Sequence, residues 1–379
     1  MDRRPTLADV AARAGVSTAL VSIVIREAPG ASAETRERVL AIADELGYRP
    51  DIRARLLRRS RSRLLGVVFG VQHAFHGDLV GGLYEAADRV GYELALSAVT
   101  PGRDEERAVG SLLQDRCEAL VLLGPQAPTA YLTTLAARLP VVVVARAVRN
   151  RAVDVVRTDD AAGLEQAVDH LVELGHRRIA HVDGGRAPGA AERRRGYTDA
   201  LHRHGLGSNA LMVPGGLTED DGAAAARALL GLTGPRTPTA VTVFNDRCAT
   251  GVLDILRGAG VAVPGGMSER SERIDRHSAS SRSADRAQRG SAMSVVGFDD
   301  SRLARLSHVD LTTIAQDAAT MTELAVARAV ARLDGTAVND REQVVPPRLV
   351  VRGTTAPPLT SEQGPAAGAR KEAAHTRGR

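Results

Sequence analysis

The stretch between Asp159 and His176 holds the side chains best suited to binding a metal or moving a proton. The candidate groups are the carboxylate of Asp159, near Gly163, and the imidazoles of His170 and His176, and such groups ligate metals and act as general acids or bases. Asp159, however, precedes a helical pattern, where a carboxylate caps the first turn. The histidines fall on that helix and on the turn after it. We therefore expect structural roles here and no metal.

Motifs for covalent or phosphate chemistry are missing from the sequence. It contains no GxSxG, no phosphate-binding GxxxxGKS or GxxxxGKT, and no HExxH. We therefore expect no catalytic residues, no enzymatic activity and no cofactor. The two cysteines, Cys117 and Cys248, are far apart and adjoin apolar residues. Buried free thiols are expected, with a disulfide or metal site as the poorer alternative.

The first residues, MDRRPTLADV, lack the apolar segment of a secretion signal, and no apolar run approaches membrane-spanning length. A solute-binding component of a transporter needs such a signal. The sequence therefore favours a cytoplasmic protein.

Composition predicts several folding units, one of them basic. A chain of 379 residues exceeds what one hydrophobic core usually supports. Residues 1–63 hold thirteen arginines against eight acidic residues, an excess equal to the net charge of +5 of the whole chain. A basic module on a neutral remainder suggests a polyanionic partner. Aromatic residues make up 2% of the chain, so Ala, Val and Leu must build the core.

Three helical patterns occupy the first fifty residues, with helix-starting residues at Thr6, Ser17 and Ser32. Ala11, Gly15 and Val21 have the spacing of a helix-turn-helix, which needs a small residue, a turn residue and an apolar anchor in that order. The pattern predicts a DNA-binding module. A three-helix bundle without a nucleic-acid partner is the alternative.

From Leu64 onward, apolar strand patterns alternate with amphipathic helical ones, which is typical of doubly wound parallel α/β sheets. About ten strands are too many for one sheet, so we expect two lobes, with the chain crossing near residues 157–163 and returning near 300. Ligands bind such lobes at the carboxyl ends of the strands. Residues 267–292 and the tail after 358 are poor in apolar residues and are expected to be disordered.

Several segments resemble the LacI/GalR family of transcriptional regulators. They read TLADVAARAGVSTALVS and ETRERVLAIADELGYRPD near the start, then TDDAAGLEQAVDHLVELGHRRIAHVDG, TAVTVFNDRCATGVLDILRGAGVAVP, SVVGFDD, LTTIAQD and PPRLVVRGTTAPP. The resemblance implies an all-α helix-turn-helix headpiece (1–49), a hinge helix and linker (50–63), and a two-lobed periplasmic-binding-protein-like sensor domain (64–358, with 267–292 as an insert). A disordered tail (359–379) follows.

The resemblance also implies which headpiece residues contact DNA. By position, those of the second helix are Ser17, Thr18, Ala19, Ser22 and Ile23, and the phosphate contacts are Thr6, Arg26 and Arg36. Relatives usually carry arginine where this chain has Ile23. Because arginine reads guanine by a forked contact, we expect an unusual operator. Ile23 can contact a thymine methyl group or simply pack.

The segment from Asp51 to Arg58 matches the hinge helix of the family, which orders when two subunits pair on DNA. By position, Leu57 is the wedge in the minor groove, Ala54 lies at the close helix–helix approach, and Arg55 lies beside the backbone. An apolar wedge kinks a duplex while arginines neutralise phosphates. The alternative is an exposed linker with Leu57 docked on the next domain.

The resemblance places an effector between the lobes, and the residues it implies are Phe75, His76, Arg146, Arg193, Leu217, Phe244, Asn245 and Asp299. Such a set suits a polyhydroxylated or anionic ligand. Many relatives have an aromatic ring at the position of Leu217, so a sugar loses a stacking surface there. Three alternatives stay open: an ion pair between Arg193 and Asp299, a surface position for His76, and a helix-capping role for Asp246.

Taken together, these features predict a sequence-specific regulator, with repression as the expected mode, that binds double-stranded operator DNA as a homodimer. A small-molecule effector, a sugar or related polar metabolite, would change the angle between the lobes and thereby order or unfold the hinge helices. No leucine heptads follow the sensor, which favours a dimer over a tetramer. An enzyme or a solute-binding protein on the same lobes is the alternative.

Overall fold

The computed structural model describes residues 5–25, 28–48, 61–234, 237–265, 292–338 and 340–359. Its contacts divide the chain into two compact units, Met1–Ser62 and Arg63–Arg379. The predicted contacts Arg26, Ala54, Arg55 and Leu57 lie outside the described residues, as do the tail from 360 and nearly all of the 267–292 segment. Beside that segment, Ala262 and Ala292 form an isolated parallel bridge, so its two flanks lie together.

The first unit contains three helices: α1 (Leu7–Ala14), α2 (Thr18–Ile25) and α3 (Ala33–Glu45). All three predicted helix-starting residues are confirmed. Thr6 forms a reciprocal capping box with Asp9, while the hydroxyl oxygens of Ser17 and Ser32 accept from backbone amides three residues on. Each hydroxyl satisfies an amide that the first turn would otherwise leave unpaired.

The turn between α1 and α2 depends on Gly15, whose φ of 68° lies in the left-handed region. The two helices consequently meet at a bend of 106°. Val10, Val21, Val24 and Val39 are fully buried where the three helices meet. Within the described ranges no single helix is long and apolar enough to cross a membrane, and the α1–α2 pair meets that length and composition test only when joined across its bend.

The second unit alternates strands and helices, and its first half comprises β1 (Leu64–Gly70), α4 (Ala74–Arg89), β2 (Glu93–Val99), α5 (Glu105–Gln114), β3 (Ala119–Leu123), α6 (Thr129–Ala136), β4 (Val141–Val144), β5 (Asp154–Thr158), α7 (Asp160–Glu173), β6 (Ile179–Asp183), α8 (Ala190–Arg203) and β7 (Leu211–Pro214). The second half comprises α9 (Glu219–Leu230), β8 (Ala240–Val243), α10 (Asp246–Gly258), β9 (Ser294–Asp299), β10 (Thr312–Ala315), α11 (Ala318–Leu333), β11 (Glu342–Val345) and β12 (Arg348–Val350).

These strands form two six-stranded sheets, one in each lobe. The first sheet has the order β11-β5-β4-β3-β1-β2 and the second β12-β10-β9-β8-β6-β7. Every pairing is parallel except that of β10 with β12, which is antiparallel. Both sheets are covered by helices over cores of Val, Leu and Ala. The predicted fold class, an all-α headpiece and two doubly wound lobes, is therefore confirmed.

The chain crosses between the lobes three times, after β5, after β10 and after β11. The expected return near residue 300 is wrong, because Thr312–Ala315 still pairs with β9 in the second sheet. Two strands lack the continuous apolar run of a buried strand. β5 reads Asp-Val-Val-Arg-Thr, and β11 reads Glu-Gln-Val-Val with two exposed residues.

Candidate effector cleft and DNA-facing helix

A cleft of about 410 Å³ lies between the lobes of the second unit, and its lining residues are His73, Ala74, Phe75, His76, Gly124, Ala145, Pro188, Arg193, Phe244, Asn245, Asp299 and Gln316. Most of them directly follow a strand or begin the helix after it. The parallel topology brings the carboxyl ends of these strands to one edge of each sheet, and the two edges face each other across the cleft.

Arg193, on α8, is the central cation of the cleft. Its Nε lies 2.8 Å from Asp160 Oδ1, and both side chains are buried. The guanidinium also donates to the carbonyl oxygen of Phe244 and lies over the rings of Phe244 and Phe298, at 4.5 and 3.6 Å from their centroids. Burial raises the pKa of Asp160, and the charge of Arg193 opposes that rise. The alternative ion pair with Asp299 is wrong, because Arg193 pairs with Asp160.

Asp299 closes the second-lobe side of the cleft. Burial raises its pKa well above the usual range, the charge of Arg193 opposes this, and nearby Asp246 raises it further. Its Oδ1 accepts from Gln316 Nε2 at 2.8 Å. The backbone of Asp299 has a φ of 122°, and that of Asp300 a φ of 54°. Such conformations are costly for residues other than glycine and concentrate at functional sites.

Asn245, not Asp246, caps helix α10. Its Oδ1 accepts from the amide of Cys248 at 2.7 Å, and its Nδ2 donates to Leu217 O at 3.3 Å. Asp246 instead points into the core, where it accepts from the hydroxyl of Thr313 and the amide of Ser301. Gly297 makes this possible, since a Cβ there would overlap Asp246 Oδ1. The capping role expected for Asp246 is therefore wrong, and burial raises its pKa to about 7.

His76 lies in the first turn of α4 and is buried. Its Nδ1 accepts from the amide of Gly70, at the end of β1, at 3.0 Å. Its ring stacks on that of His73, with centroids 4.4 Å apart and planes 12° apart. The alternative surface position for His76 is wrong, because the turn folds back against the sheet edge.

Six of the eight residues expected at the effector site line the cleft: Phe75, His76, Arg193, Phe244, Asn245 and Asp299. Arg146 does not, and its guanidinium donates to the carbonyl oxygens of Pro125 and Ala127 at 2.6 and 2.9 Å. The side chain of Leu217 is half-buried outside the lining set.

Sequence reasoning missed the other six lining residues, which are His73, Ala74, Gly124, Ala145, Pro188 and Gln316. Two of these carried a usable signal. Gly124 follows the strand EALVLL directly, and Gln316 lies within the quoted segment LTTIAQD. Both are at the carboxyl end of a parallel strand, where ligand sites form.

The two histidines considered as metal ligands have other partners. His170 Nε2 lies 3.0 Å from Thr355 Oγ1, and the ring nitrogens of His176 are bonded to Thr239, Ser294 and the carbonyl oxygen of Ala356. Asp159 caps α7 through the amide of Ala162. Across the part of the chain that the structure describes, no group of three or more His, Cys, Asp or Glu could hold a metal ion.

In the first unit, α2 presents Ser17, Thr18 and Ala19 to solvent, while Ser22 and Ile23 are half-buried. Ile23 packs near Gly30, where a Cβ would lie 3.8 Å from two of its carbons. This surface is small, uncharged and close to the helix N-terminus, which suits close approach to a base edge.

The two described phosphate candidates have internal partners as well. Thr6 donates its hydroxyl to Asp9 Oδ2 at 2.6 Å. Arg36 donates to Ala28 O at 2.9 Å and to Val24 O at 3.4 Å, so it satisfies carbonyls at the end of α2. Arg36 thereby fixes α2 against α3, and its contact with phosphate stays a prediction.

Comparison with known protein families agrees with this architecture. Residues 6–51 match the model of bacterial regulatory proteins of the lacI family, and residues 62–323 match that of periplasmic binding proteins and the sugar-binding domain of the LacI family. The chain belongs to the LacI family. Family membership makes it a transcriptional regulator rather than an enzyme.

Individual members of the LacI family match over most of their length. The Escherichia coli regulator GalR is 31% identical over 360 residues, which cover 93% of this chain and 96% of GalR. A LacI-type regulator from a Rhodococcus species is 50% identical, with a TM-score of 0.68, over 78% of this chain and 98% of its own. The lac repressor dimer bound to operator and an anti-inducer is 27% identical, with a TM-score of 0.69, over 93% and 100%.

Proposed function

We propose that this LacI-family protein is a homodimeric operator-binding regulator controlled by a small polar effector, a sugar or related metabolite, in the cleft between its lobes. The observation that carries the proposal is the cleft itself, which is lined by residues of both lobes. The two lobes are connected by three crossings of the chain. The lining of the cleft combines the rings of Phe75 and Phe244 with a few convergent polar groups, which is the composition of small-molecule sites.

The polar side chains of the cleft support a ligand rich in hydroxyl groups. Asp299 offers a carboxylate oxygen beyond the one bonded to Gln316, and Arg193 keeps N–H groups beyond those bonded to Asp160 and Phe244. A carboxyl group beside a guanidinium binds paired hydroxyls, and the hydrogen bonds from the guanidinium are charge-assisted. The match to the sugar-binding domain of the LacI family agrees with this ligand class.

The DNA-binding half of the proposal rests on α2. Thr18 and Ala19 are exposed near its N-terminus and would face base edges, with Ser17 and Ser22 beside them. Ile23 offers a methyl surface in place of an arginine fork, so the operator would have thymine where an arginine would select guanine. Ala54, Arg55 and Leu57 would form the hinge contacts, and Arg26 a phosphate contact.

The proposed organisation is a headpiece over 1–49, a hinge over 50–63, a sensor over 64–358 and a tail over 359–379. Effector binding would favour one arrangement of the lobes and so bias the order of the hinge helices. This coupling requires the effector to bind one lobe arrangement more tightly than the other.

Two binding experiments test the proposal separately. Thermal-shift measurements with a panel of D-galactose, D-ribose, cellobiose, a hexose phosphate and adenosine should raise the melting temperature for at least one compound well above its Kd. Gel shifts with genomic fragments should show preference over random competitor at moderate salt. A protein that prefers no fragment, with or without the panel compounds, is not an operator-binding regulator.

Leu57→Ala should separate the two activities. It should weaken operator binding severely and leave the thermal shift by the panel compounds intact, because the wedge acts on DNA alone. Unchanged operator affinity would contradict the hinge assignment of Leu57.

A further inference from the structure

The first-lobe wall of the cleft carries the imidazole of His76, whose Nε2 makes no hydrogen bond among the described residues. His76 is 4% exposed, and its Nδ1 accepts from the backbone amide of Gly70 at 3.0 Å. An amide can only donate, so Nδ1 must carry a lone pair, and in the neutral ring the proton then resides on Nε2. His76 therefore presents an N–H donor at Nε2.

The surroundings hold His76 in this neutral form. Burial lowers the pKa of His76 to about 3, and the neighbouring His73 contributes to the fall. The pKa of His73 is lowered to about 4 by burial and by the charges of Arg193 and Arg247. The two rings stack at 4.4 Å, so His73 fixes the plane of His76 as well as its charge. At neutral pH His76 thus offers an uncharged donor in one orientation.

Gly124 leaves open space beside that donor. A Cβ on Gly124 would lie 3.2 Å from His76 Nε2 and 3.5 Å from Pro188 Cγ, which belongs to the opposite lobe. Because glycine has no Cβ, residue 124 does not crowd this side of the imidazole. A ligand acceptor can therefore approach Nε2 over the Gly124 backbone.

The amide side chains of the cleft are already engaged at both ends. Asn245 is bonded through Oδ1 to Cys248 and through Nδ2 to Leu217. Gln316 accepts from the hydroxyl of Thr158 at 2.7 Å and donates to Asp299 at 2.8 Å. Each amide atom keeps one further N–H or lone pair. Both side chains follow strands of the second sheet, so on the first-lobe wall the polar side chains are the imidazoles of His73 and His76.

We propose that His76, oriented by the Gly70 amide and the His73 ring, determines effector specificity by donating from Nε2 to an oxygen acceptor of the ligand above Gly124. The ligand class is a polar molecule that places a hydroxyl, ring or carbonyl oxygen there, and an ammonium group at that point is rejected because both partners would be donors. This inference rests on the proposed effector function of the cleft.

Two matched substitutions separate the donor from the structural contact. In His76→Asn, the amide oxygen can replace Nδ1 as acceptor for Gly70, but nothing replaces Nε2. In His76→Gln, the longer side chain places an amide N–H near the position of Nε2 and loses the Gly70 contact. The probe is the panel compound that raises the melting temperature of the wild-type protein most, and its Kd is measured by calorimetry.

We expect His76→Asn to melt within about 2 °C of wild type and to bind the probe at least about tenfold more weakly. His76→Gln should melt lower and keep its Kd within about threefold. Gly124→Ala should also weaken binding, because its methyl group would lie 3.2 Å from Nε2 and hinder the approach of an acceptor, and it should melt lower because Gly124 has a φ of 50°. Wild-type affinity in His76→Asn would overturn the proposal.

A ligand-free measurement decides the tautomer independently. Long-range proton–nitrogen NMR of the protein labelled with ¹⁵N-histidine should show His76 protonated at Nε2, and a proton on Nδ1 would overturn the proposal. A wild-type protein that responds to no panel compound counts against the effector function of the cleft, whereas an Nδ1 proton counts against His76 alone. The two failures are thus distinguishable.

Discussion

The two walls of the cleft are built from different chemistry. The first lobe contributes stacked neutral imidazoles, His73 and His76, and a glycine. The second lobe contributes the buried ion pair of Arg193 with Asp160 and the carboxyl of Asp299. One wall is polar without charge, and the other is charged and largely neutralised within itself.

Stability and ligand binding depend on the same side chains in the second lobe more than in the first. Charges buried in the second lobe must keep their partners whether or not a ligand is present, because an unpaired buried charge is strongly destabilising. Imidazoles in the first lobe carry no such constraint at neutral pH. Substitutions in the second wall should therefore affect folding and binding together, and those in the first wall should affect binding with a smaller loss of stability.

Arg193→Ala should produce the largest effect. Removing the guanidinium leaves Asp160 buried without its partner, and breaking a buried pair in this way costs about 3–5 kcal/mol. Chemical denaturation should show this as a lower free energy of unfolding, and thermal-shift binding should be lost as well. Adding Asp160→Asn to the variant should recover part of the stability without restoring binding. Equal losses in the single and double variants would contradict the ion-pair account.

Asp246→Asn should alter the pH dependence of the second lobe. Its pKa is raised from 3.8 to about 7 in the folded protein, so the folded state holds this proton more tightly than the unfolded one. The resulting stabilisation is complete below pH 3.8 and is lost as pH rises to 7. Between pH 5 and 7 the wild type should lose up to about 2–3 kcal/mol that the amide variant keeps. Parallel stability curves for the two proteins would contradict this prediction.

The sequence predicts the architecture better than the partners of individual side chains. Continuous apolar runs such as Val141–Val144 fix most strands, and Thr6 and Ser32 fix the helix starts. The sequence does not predict the short polar strand β5 or the late return after β10, because their pairing is decided by distant strands. Local patterns do not record which strand lies alongside.

The ion-pair and hydrogen-bond partners of side chains in the cleft are not predicted by the sequence for a similar reason. Arg193 meets Asp160 rather than Asp299, since α8 lies against the start of α7, and Asp246 turns inward only because Gly297 leaves room. The capping rule identifies a polar residue before α10 but not which of Asn245 and Asp246 fills the role. Such choices depend on space that other elements provide.

His76→Asn should change the pH dependence of stability in the direction opposite to Asp246→Asn. The pKa of His76 falls from 6.5 to about 3 on folding because of burial, so the unfolded state binds its proton more tightly. The stability of the neutral ring is present above pH 6.5 and is lost as pH falls towards 3. From pH 6.5 to 5 the wild type should lose about 2 kcal/mol relative to the variant. Denaturation curves at both pH values measure this, and a constant difference would show that the ring is not buried as described.

Leu217→Ala should have the smallest effect on ligand binding, because the side chain lies at the edge of the second-lobe wall. The side chain of Leu217 lies outside the cleft lining, but its amide donates to Asp221 at 2.9 Å and its carbonyl accepts from Asn245. Both contacts use the backbone and survive the substitution. The Kd for the best panel compound should stay within about twofold, or below about 0.5 kcal/mol. A tenfold loss would bring this side chain into contact with the ligand, and the second lobe would then contribute an apolar surface as well as charge.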